Sequence, residues 1–429
     1  MKEYKEGSYY GRKCEGNVTV EIKILSGANS IGGSFIRIED GDETIIFDQG
    51  IRFDVMKKFY SGFISPRGVA ELREIGALPK PEWYEGANAI YISHMHLDHL
   101  GALSNIPQET TVKIPSNAVY EKMEEKWGAS PTWLSLVPRK YYVELEELKT
   151  LQTDENNVMA VPVSHSAFPA YSLIYFGRSE NILYTGDLRI ESFLDQDQFR
   201  EINKSDDLLT YLDENKDIKI DFLIIEGTNI GSDRIPITPS EAIKIIEKLA
   251  RDRKQVIATL HSLDLEYAYR LVSMADDMKM QVAIASPSLV KLLEKIPQLP
   301  AKPQIIEEYV GYLTPFEKTS IEDMGERTLM LVSYTEIVDL IKDLNMVRGI
   351  SKDSLAIISE TEPQSEEGSE YNVIANWFTT LGIESYRIRA SGHYYQYQLK
   401  TILDKIKSRK GIKTIHTEKP KLFLKILKE

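Results

Sequence analysis

Cysteine is almost absent from the 429-residue sequence, in which Cys14 is the only one. A single thiol excludes an intrachain disulfide bond and any metal site built from several thiolates. Proteins of the reducing cytoplasm commonly lack disulfide bonds, so we expect a cytoplasmic protein. Long apolar runs are missing too, since no stretch approaches the ~20 residues of a membrane-spanning helix. Residues 1–6 are polar and lack the apolar segment of a signal peptide, and we expect no membrane association.

Positive charge is also scarce. The sequence has 52 Lys and Arg against 65 Asp and Glu, which gives a formal net charge of −13. Such a chain does not coat nucleic acid nonspecifically, although a local basic groove is compatible with it. Residues 393–429 reverse the balance, with ten Lys and Arg against three acids. This run is either a solvated helix face or a functional basic strip.

The length predicts two or three domains, or one large fold with an insertion, at roughly 150 residues per domain. Alternating and apolar runs in the first half are typical of β-strands. They occur at residues 20–25, 34–47, 88–93, 158–163, 170–184 and 221–226. Asp40-Gly41 and Gly177 predict hairpin turns inside the second and fifth of these runs.

After Gly227 the pattern changes to strands that alternate with helices. Thr238 is a predicted helix N-cap, followed by Pro239 at the first helical position. Helices are predicted at residues 238–253, 265–278, 287–295, 335–344, 371–381 and 395–408, and strands at 255–260, 281–286, 328–333, 354–359, 384–390 and 412–415. This alternation predicts parallel βαβ units, so the fold class is α/β. The Glu-rich residues 360–370 predict a solvated loop.

Three of the seven histidines lie in one short segment, His94-Met95-His96-Leu97-Asp98-His99, directly after the strand at 88–93. His94 and His96 are two apart on an extended segment, so their side chains point to the same side and can converge on one metal ion. Asp98 and His99 lie beyond the bend and reach a neighbouring position. Imidazole and carboxylate groups without thiolate suit Zn²⁺, with Mn²⁺ or Fe²⁺ as alternatives.

Three more residues with metal-binding side chains lie where a predicted strand gives way to a loop: His165, Asp187 and His416. Taken alone, each such residue is more often structural than a ligand. Taken together, they are the candidates for the remaining ligands, because functional side chains gather where strands give way to loops.

The ordered set of these residues resembles the ligands of the metallo-β-lactamase superfamily. This resemblance implies a four-layer αββα fold with two Zn²⁺ ions per chain, or Mn²⁺ in their place. It implies that His94, His96 and His165 hold one ion, and that Asp98, His99 and His416 hold the other. Asp187 would bridge the two ions, and Asp48 would support the ligands from behind.

The long interval between Asp187 and His416 extends the resemblance to the β-CASP nuclease group, and the chain is similar to small archaeal RNase J-type ribonucleases. Glu226 in Ile225-Glu226-Gly227-Thr228-Asn229 resembles motif A of this group, and Ser391-Gly392-His393 resembles motif B. The resemblance implies a Rossmann-like β-CASP domain at residues 231–375, inserted into a core formed by residues 1–230 and 376–429.

By the same resemblance, the protein is expected to be a zinc-dependent ribonuclease acting on single-stranded RNA. The leading activity is 5′-to-3′ exonucleolytic trimming, with endonucleolytic cleavage as an alternative, and a homodimer is left open. The predicted catalytic residues are Asp98, His393 and Glu226. His393 would protonate the leaving 3′-oxygen, and Glu226 would orient His393. Ser359 and Ser391 are expected to bind a terminal phosphate of the substrate.

Two other functions stay open. One is hydrolysis of a small ester, lactone or phosphodiester by the same two metal ions, which the long insertion and the Ser391-Gly392-His393 motif disfavour. A catalytically inactive scaffold that binds RNA is disfavoured by the complete ligand set.

Residues beside the proposed site have two interpretations each. Helix periodicity favours core and solvated-face positions over an RNA surface for Tyr394, Tyr395, Tyr397, Lys400, Lys405, Lys407, Arg409 and Lys410. His261 lies at a strand-to-helix junction, where Ser262 or Asp264 is the expected N-cap. We therefore favour a capping region there, with an RNA phosphate contact as the alternative.

Overall fold

The structure, a computed structural model, describes residues 20–60, 64–107, 110–359 and 373–428. Its strands are β1 (Glu21–Ser26), β2 (Phe35–Asp40), β3 (Glu43–Phe47), β4 (Ala89–Tyr91), β5 (Thr111–Ile114), β6 (Glu144–Glu147), β7 (Val158–Pro162), β8 (Tyr171–Phe176), β9 (Asn181–Tyr184), β10 (Phe222–Glu226), β11 (Gln255–Thr259), β12 (Gln281–Ile284), β13 (Gln304–Ile306), β14 (Glu317–Thr319), β15 (Thr328–Val332), β16 (Ser354–Ile358), β17 (Glu384–Arg387) and β18 (Gly411–Ile415).

The α-helices are α1 (Phe53–Phe59), α2 (Val69–Glu74), α3 (Leu97–Leu100), α4 (Asn117–Gly128), α5 (Gln196–Asn203), α6 (Leu208–Glu214), α7 (Pro239–Ala250), α8 (Leu265–Asp277), α9 (Pro287–Leu293), α10 (Tyr334–Val347), α11 (Val373–Thr380), α12 (Leu399–Ile406) and α13 (Pro420–Ile426).

Two sheets pack face to face and form the centre of the core. The first has the order β1-β2-β3-β4-β5-β6, and the second has the order β18-β10-β9-β8-β7. Their facing sides share one apolar cluster, in which Phe47 and Tyr91 of the first sheet meet Leu173 and Tyr184 of the second. The rings of Phe47 and Tyr184 stack with their centroids 5.9 Å apart. Removal of these side chains from water is the main force that holds the sheets together.

Helices cover the outer faces of both sheets. On the first sheet, Tyr120 of α4 belongs to the same buried cluster as Ile90 and Val112. On the second sheet, residues of α6, α12 and α13 pack on the side of β10 that carries Leu223. Strand residues alternate between these outer clusters and the inner one, as the two-residue period of a strand requires. The layers are therefore helix, sheet, sheet, helix.

The remaining sheet is a separate, fully parallel one with the order β14-β13-β12-β15-β11-β16-β17. Helices α7, α8 and α9 cover one face, and α10 and α11 cover the other. All five residues of β15, Thr328–Val332, are buried, as expected for a strand between two helical layers. Together with the first two sheets, this confirms the predicted α/β fold class.

The inserted unit extends further along the chain than the sequence predicted. Strand β17 pairs in parallel with β16, with Tyr386 opposite Ile357. A boundary at residue 375 would cut α11 and separate β17 from its sheet, so the predicted boundary is too early. The same alternation of helices and strands continues across this point, and nothing in the pattern marks the return to the core.

Local signals in the sequence account for several element ends. Thr238 caps α7, with its side chain accepting from the backbone N–H of Glu241, and Pro239 is the first helical residue. The predicted hairpins at Asp40-Gly41 and Gly177 join β2 to β3 and β8 to β9. Residues 360–372, which include the predicted Glu-rich loop, lie outside the described residues. Across the ranges that the structure describes, no helix is both long enough and apolar enough to cross a membrane.

Candidate metal centre

The chemistry-bearing side chains meet at one edge of the two facing sheets. Strands β3 and β4 run parallel in the first sheet, and β9, β10 and β18 run parallel in the second. The carboxyl ends of parallel strands lie at the same edge, which is where ligand sites form in such sheets. The predicted site residues follow these ends: Asp48 after β3, His94 to His99 after β4, His165 after β7, Asp187 after β9, Glu226 at the end of β10 and His416 after β18.

Three imidazoles form the first group. Nε2 of His94 lies 3.1 Å from Nδ1 of His96, and Nε2 of His165 lies 3.3 Å from the same atom. The three nitrogens lie within 4.8 Å of one another, so one metal ion can contact all three. The sequence spacing of His94 and His96 on an extended segment predicted this convergence.

A second group lies beside the first. Asp98, His99 and His416 bring one ligand atom each within 4.8 Å of one another. Nε2 of His416 lies 3.1 Å from Oδ2 of Asp98, and Nε2 of His99 lies 3.8 Å from that oxygen. His416 has a backbone φ of 54°, a left-handed conformation that is uncommon outside glycine and costs free energy.

Asp187 stands between the two groups. Its Oδ2 lies 3.2–3.9 Å from nitrogens of five histidines: His94, His99, His165, His393 and His416. A carboxylate surrounded in this way by two ligand groups can bridge two metal ions, as the resemblance implies for this position.

Asp48 belongs to neither ligand group and supports one of the proposed ligands, His99, through a hydrogen bond. Its Oδ2 accepts from Nδ1 of His99 at 2.7 Å, from the Tyr184 hydroxyl at 2.7 Å and from the Ser93 hydroxyl at 2.9 Å. Because Nδ1 of His99 is the donor, its Nε2 faces the site with a free lone pair once deprotonated. Asp48 also has a left-handed backbone, with φ of 58°.

The loop Ser391-Gly392-His393 orients His165. Nδ1 of His165 donates to the Gly392 carbonyl at 2.6 Å, which leaves Nε2 for the first group. A Cβ atom on Gly392 would lie 3.1 Å from Cε1 of His165. The close approach of this loop to the imidazole therefore requires glycine at position 392.

The charges of the first group favour metal binding. Burial lowers the pKa of His94, His96 and His165 well below the usual value for histidine, and neighbouring imidazoles lower these pKa values further. All three rings are therefore neutral at pH 7. Neutral imidazole is the form that binds a metal ion.

The second group has the opposite tendency. Burial opposes a charge on His99 and His416, but Asp187 and Asp98 outweigh burial and raise the pKa of both histidines. Burial likewise opposes ionisation of Asp98 and Asp187, yet His99 and His416 lower the pKa of both carboxyls. In the metal-free protein, protons on these imidazoles therefore balance the buried carboxylates.

Three buried atoms of the site have no hydrogen-bond partner among the described residues: Nε2 of His96, Nε2 of His99 and Oδ1 of Asp187. A buried polar atom without a partner is costly, and a metal ion held by the second group together with Asp187 would satisfy the last two. Five imidazoles and two carboxylates, with no thiolate, make a donor set that suits Zn²⁺ and also accepts Mn²⁺.

The two predicted non-ligand residues lie next to this set. Nδ1 of His393 lies 3.2 Å from Oε1 of Glu226 and 3.1 Å from the Thr228 hydroxyl. Glu226 is fully buried, whereas the His393 side chain is 13% exposed. The pair thus consists of a buried carboxylate and an imidazole that reaches the cleft.

The predicted substrate-binding serines both have protein partners. The Ser391 hydroxyl accepts from Nδ2 of Asn229 at 2.9 Å and from the backbone N–H of His393 at 3.1 Å. The Ser359 hydroxyl is 2.7 Å from that of Tyr267 and is nearly buried. Ser391 therefore supports the histidine loop, and phosphate binding by either serine stays a prediction.

The aromatic and basic residues near the C-terminus are mostly engaged within the protein. Tyr394 is buried and donates to the Glu226 carbonyl, whereas Tyr397 is exposed. Lys405, Arg409 and Lys410 pair with Asp213, Asp221 and Glu180 respectively. These contacts agree with the core and solvated-face interpretations of this run.

His261 lies closer to the proposed metal ligands than the sequence indicated. Its ring centroid is 4.5 Å from that of His96, and its Nδ1 accepts from the backbone N–H of Leu263. Asp264 caps α8, as expected, with its side chain accepting from Tyr267. Burial lowers the pKa of His261 to about 4. Its position directly after a strand of the insertion was the only sequence signal for this placement.

The sequence patterns did not indicate two further residues that contact the site. Thr228 contacts Glu226, His393 and His416 through its hydroxyl. Arg189 donates to the His165 carbonyl at 2.6 Å. Neither belongs to a pattern that single-sequence reasoning recognises.

Known proteins resemble this chain in both sequence and fold. Residues 32–223 match the metallo-beta-lactamase superfamily. The chain is 24% identical over 289 residues to a ribonuclease J from Pyrococcus abyssi, which covers 63% of this chain and 60% of that protein. It is 21% identical over 426 residues to a ribonuclease J from Mycoplasma genitalium, with 94% and 68% covered.

The solved structures include a close match in fold. A protein of unknown function from Enterococcus faecalis V583 superposes with a TM-score of 0.69 at 20% identity, covering 94% of this chain and 95% of that one. At this identity the similarity concerns the fold alone. The chain thus spans about 60% of the Pyrococcus abyssi protein and nearly all of the Enterococcus faecalis one.

Proposed function

We propose that the chain is a ribonuclease J-like member of the metallo-β-lactamase superfamily and that it is a zinc-dependent ribonuclease, because residues 32–223 match that superfamily and two relatives are ribonucleases J. The observation that carries this proposal is the position of Asp187, whose Oδ2 lies within 3.9 Å of five histidine nitrogens. The leading activity is 5′-to-3′ trimming of single-stranded RNA in the cytoplasm, and endonucleolytic cleavage is the second candidate.

In this proposal, His94, His96 and His165 would hold one zinc ion, and Asp98, His99 and His416 would hold the other. Asp187, which lies beside both groups, would contribute a carboxylate to each. Zinc bound there supplies Lewis acidity, which lowers the pKa of water towards ~7 and neutralises charge on a phosphoryl group. In this proposal Asp98 is both a zinc ligand and a catalytic residue, because it would help to hold an ion that activates water.

The protein's own residues handle the leaving group. Nδ1–H of His393 faces the Glu226 carboxylate at 3.2 Å, which fixes the ring and supports a positive charge on it. Nε2 of His393 is then the nitrogen that can give a proton to the departing 3′-oxygen. His393 lies within 4.8 Å of Asp187, Glu226 and His416 but is not assigned to zinc in this proposal, and its side chain is 13% exposed.

The substrate would lie between the core and the inserted unit. The metal ligands stand at the carboxyl edge of the facing sheets, and His261 reaches His96 from the insertion. Ser359 follows β16 at the corresponding edge of the inserted sheet, where phosphate binding by Ser359 and Ser391 is part of the proposal.

A single labelled RNA in three forms tests the proposal. The protein is incubated with 5′-monophosphorylated, 5′-triphosphorylated and circular versions, each with and without a chelator. We expect zinc-dependent cleavage that starts at a 5′ end. Asp187→Asn should abolish cleavage, whereas Asp404→Asn, which changes an exposed carboxylate on α12, should leave it intact.

The other outcomes separate the alternatives. Equal cleavage of circular and linear RNA would replace the exonuclease with an endonuclease. Zinc binding without cleavage of any RNA, with turnover of a small ester or phosphodiester, would favour the small-molecule hydrolase. RNA binding with no turnover of either substrate class would identify an inactive scaffold.

A further inference from the structure

The hydroxyl of Thr228 contacts residues of both proposed roles of the site, metal binding and proton donation. Its Oγ1 lies 2.8 Å from Oε2 of Glu226, 2.8 Å from Nδ1 of His416 and 3.1 Å from Nδ1 of His393. One side chain therefore contacts a proposed metal ligand, the proposed proton donor and its orienting carboxylate. Thr228 lies just beyond the end of β10, two residues after Glu226.

The hydrogens around this hydroxyl can be assigned from its neighbours. A hydroxyl donates one hydrogen and accepts with two lone pairs. Glu226, as a carboxylate, only accepts, and its Oε2 already receives the backbone N–H of Thr228 at 2.9 Å. The Thr228 hydroxyl hydrogen therefore goes to Oε2 of Glu226. Nδ1 of His416 and Nδ1 of His393 could accept this hydrogen only in the tautomer that leaves them unprotonated, and a neutral nitrogen competes poorly with a carboxylate. The His416 carbonyl is 3.5 Å away and also competes poorly.

With that hydrogen committed, Oγ1 of Thr228 can only accept from the two imidazoles. Nδ1 of His416 must then carry a hydrogen, which leaves Nε2 as the nitrogen for metal. Nε2 is the atom that lies 3.1 Å from Asp98 and 3.6 Å from Asp187, on the side of the second ligand group. The reverse tautomer would place a hydrogen where the ion must bind.

The same logic applies to His393. Its Nδ1 faces two acceptors, Oγ1 of Thr228 and Oε1 of Glu226, so the hydrogen on Nδ1 is held from both sides. Nε2 is left to exchange a proton with the substrate. His393 and His416 also stack at 5.6 Å with an interplanar angle of 25°, which keeps both rings on the same side of Thr228.

We propose that Thr228 is a positioning residue that sets the tautomers of His416 and His393 through one shared hydroxyl. This inference rests on the proposed two-metal function. It goes beyond that function because it names the residue that selects which nitrogen of His416 would bind the metal. That residue, Thr228, is not itself one of the proposed ligands.

Two variants separate the hydroxyl from the shape of the side chain. Thr228→Val keeps the branched shape and removes the hydroxyl, and Thr228→Ser keeps the hydroxyl. We expect Thr228→Val to bind one zinc ion normally through the His94 group and to bind the second about 10–100-fold more weakly. Thr228→Ser should bind both ions as wild type does. Zinc affinities are measured by competition with a chromophoric chelator, and thermal unfolding reports whether each variant is folded.

A measurement on the wild-type protein makes the test independent of the variants. Long-range ¹H–¹⁵N spectra of histidine-labelled, zinc-loaded protein report which ring nitrogen of His416 carries hydrogen, with the signal assigned by its loss in His416→Asn. Hydrogen on Nδ1 supports the inference, and zinc on Nδ1 overturns it. Equal second-site affinity in wild type and Thr228→Val also overturns it. Failure of the wild type to bind any zinc would instead contradict the proposed function.

Discussion

At the scale of single residues, the site depends on histidines in which one ring nitrogen is hydrogen-bonded to the protein and the other faces a ligand group. His99 is held by Asp48, His165 by the Gly392 carbonyl and His416 by Thr228. Each of these contacts fixes one nitrogen as donor and turns the other towards the ligand group. Metal affinity should therefore respond to residues that never touch the ion.

Gly392→Ala tests the contact to His165. The added Cβ would overlap Oγ of Ser166, would lie 3.0 Å from Cβ of Ser166 and would lie 3.1 Å from Cε1 of His165, so Ser166 and the adjacent His165 ring must shift. We expect zinc binding to the His94, His96 and His165 group to weaken by about 10-fold or more. Gly311→Ala is the control, since a Cβ there meets nothing within 4 Å. Wild-type zinc affinity in Gly392→Ala would contradict the proposed role of this close approach.

Metal binding should also release protons. Burial opposes a charge on His99 and His416, but the neighbouring carboxylates raise the pKa of both rings and so favour an extra proton on them near neutral pH when no metal is bound. A bound ion displaces those protons, and the release should fall as the pH rises above the raised pKa values. Titration calorimetry in buffers of different ionisation enthalpy measures the number released. A binding enthalpy that is independent of the buffer at pH 7 would contradict the prediction.

The candidate ligands could be named from the sequence because they either follow a strand or belong to the one short segment from His94 to His99. Thr228 and His261 could not, because their roles arise from contacts with residues far along the chain. Thr228 and His416 are 188 positions apart, and the Thr228 side chain acquires its function only when β10 pairs with β18. No local pattern contains that information.

At the scale of elements, apolar patterning predicted the buried strands and missed some of the exposed or very short ones. All five residues of β16 are buried, and its apolar run was recognised. Strand β6 reads Glu-Leu-Glu-Glu and lies at the edge of its sheet with little burial, so no apolar alternation marks it. Three-residue strands such as β13 are too short to show a period.

The capping box of α7 gives a test at this scale. The Thr238 side chain accepts from the backbone N–H of Glu241, and the Glu241 side chain accepts from that of Thr238. We expect Thr238→Ala to destabilise the protein by about 1 kcal/mol, because a helix N–H loses its partner. Urea denaturation measures this change, with Lys248→Ala, an exposed residue farther along the same helix, as the control. Equal unfolding midpoints for the two variants would show that the cap contributes nothing.

At the scale of the whole molecule, a buried charged cluster joins the inserted unit to the metal-binding loops. Arg189 donates to the His165 carbonyl at 2.6 Å and to Asp264, the N-cap of α8, at 2.9 Å. Glu266 of α8 accepts from Ser164, the neighbour of His165. The side chains of Arg189 and Glu266 are each 3% exposed. The insertion and the His165 loop are therefore connected through groups that water does not reach.

Arg189→Met should disturb both the fold and the site. Removal of one partner of a buried charge pair costs about 3–5 kcal/mol, because the remaining carboxylate loses its counter-charge. We expect a lower unfolding temperature together with weaker zinc binding, since the His165 carbonyl loses its donor. Arg200→Met is the control, because Arg200 pairs with Asp206 at the surface and should leave both properties unchanged. A lower unfolding temperature with unchanged zinc affinity would show that the cluster stabilises the fold without influencing the metal centre.

We propose that one edge of the two facing sheets holds two metal ions, on either side of Asp187. Anomalous diffraction at the zinc absorption edge, from crystals of the zinc-loaded protein, locates these ions. We expect two peaks, one within bonding distance of His94, His96 and His165 and the other within bonding distance of Asp98, His99 and His416, with Asp187 contacting both. A single peak, or zinc bound anywhere else in the chain, would contradict the proposal.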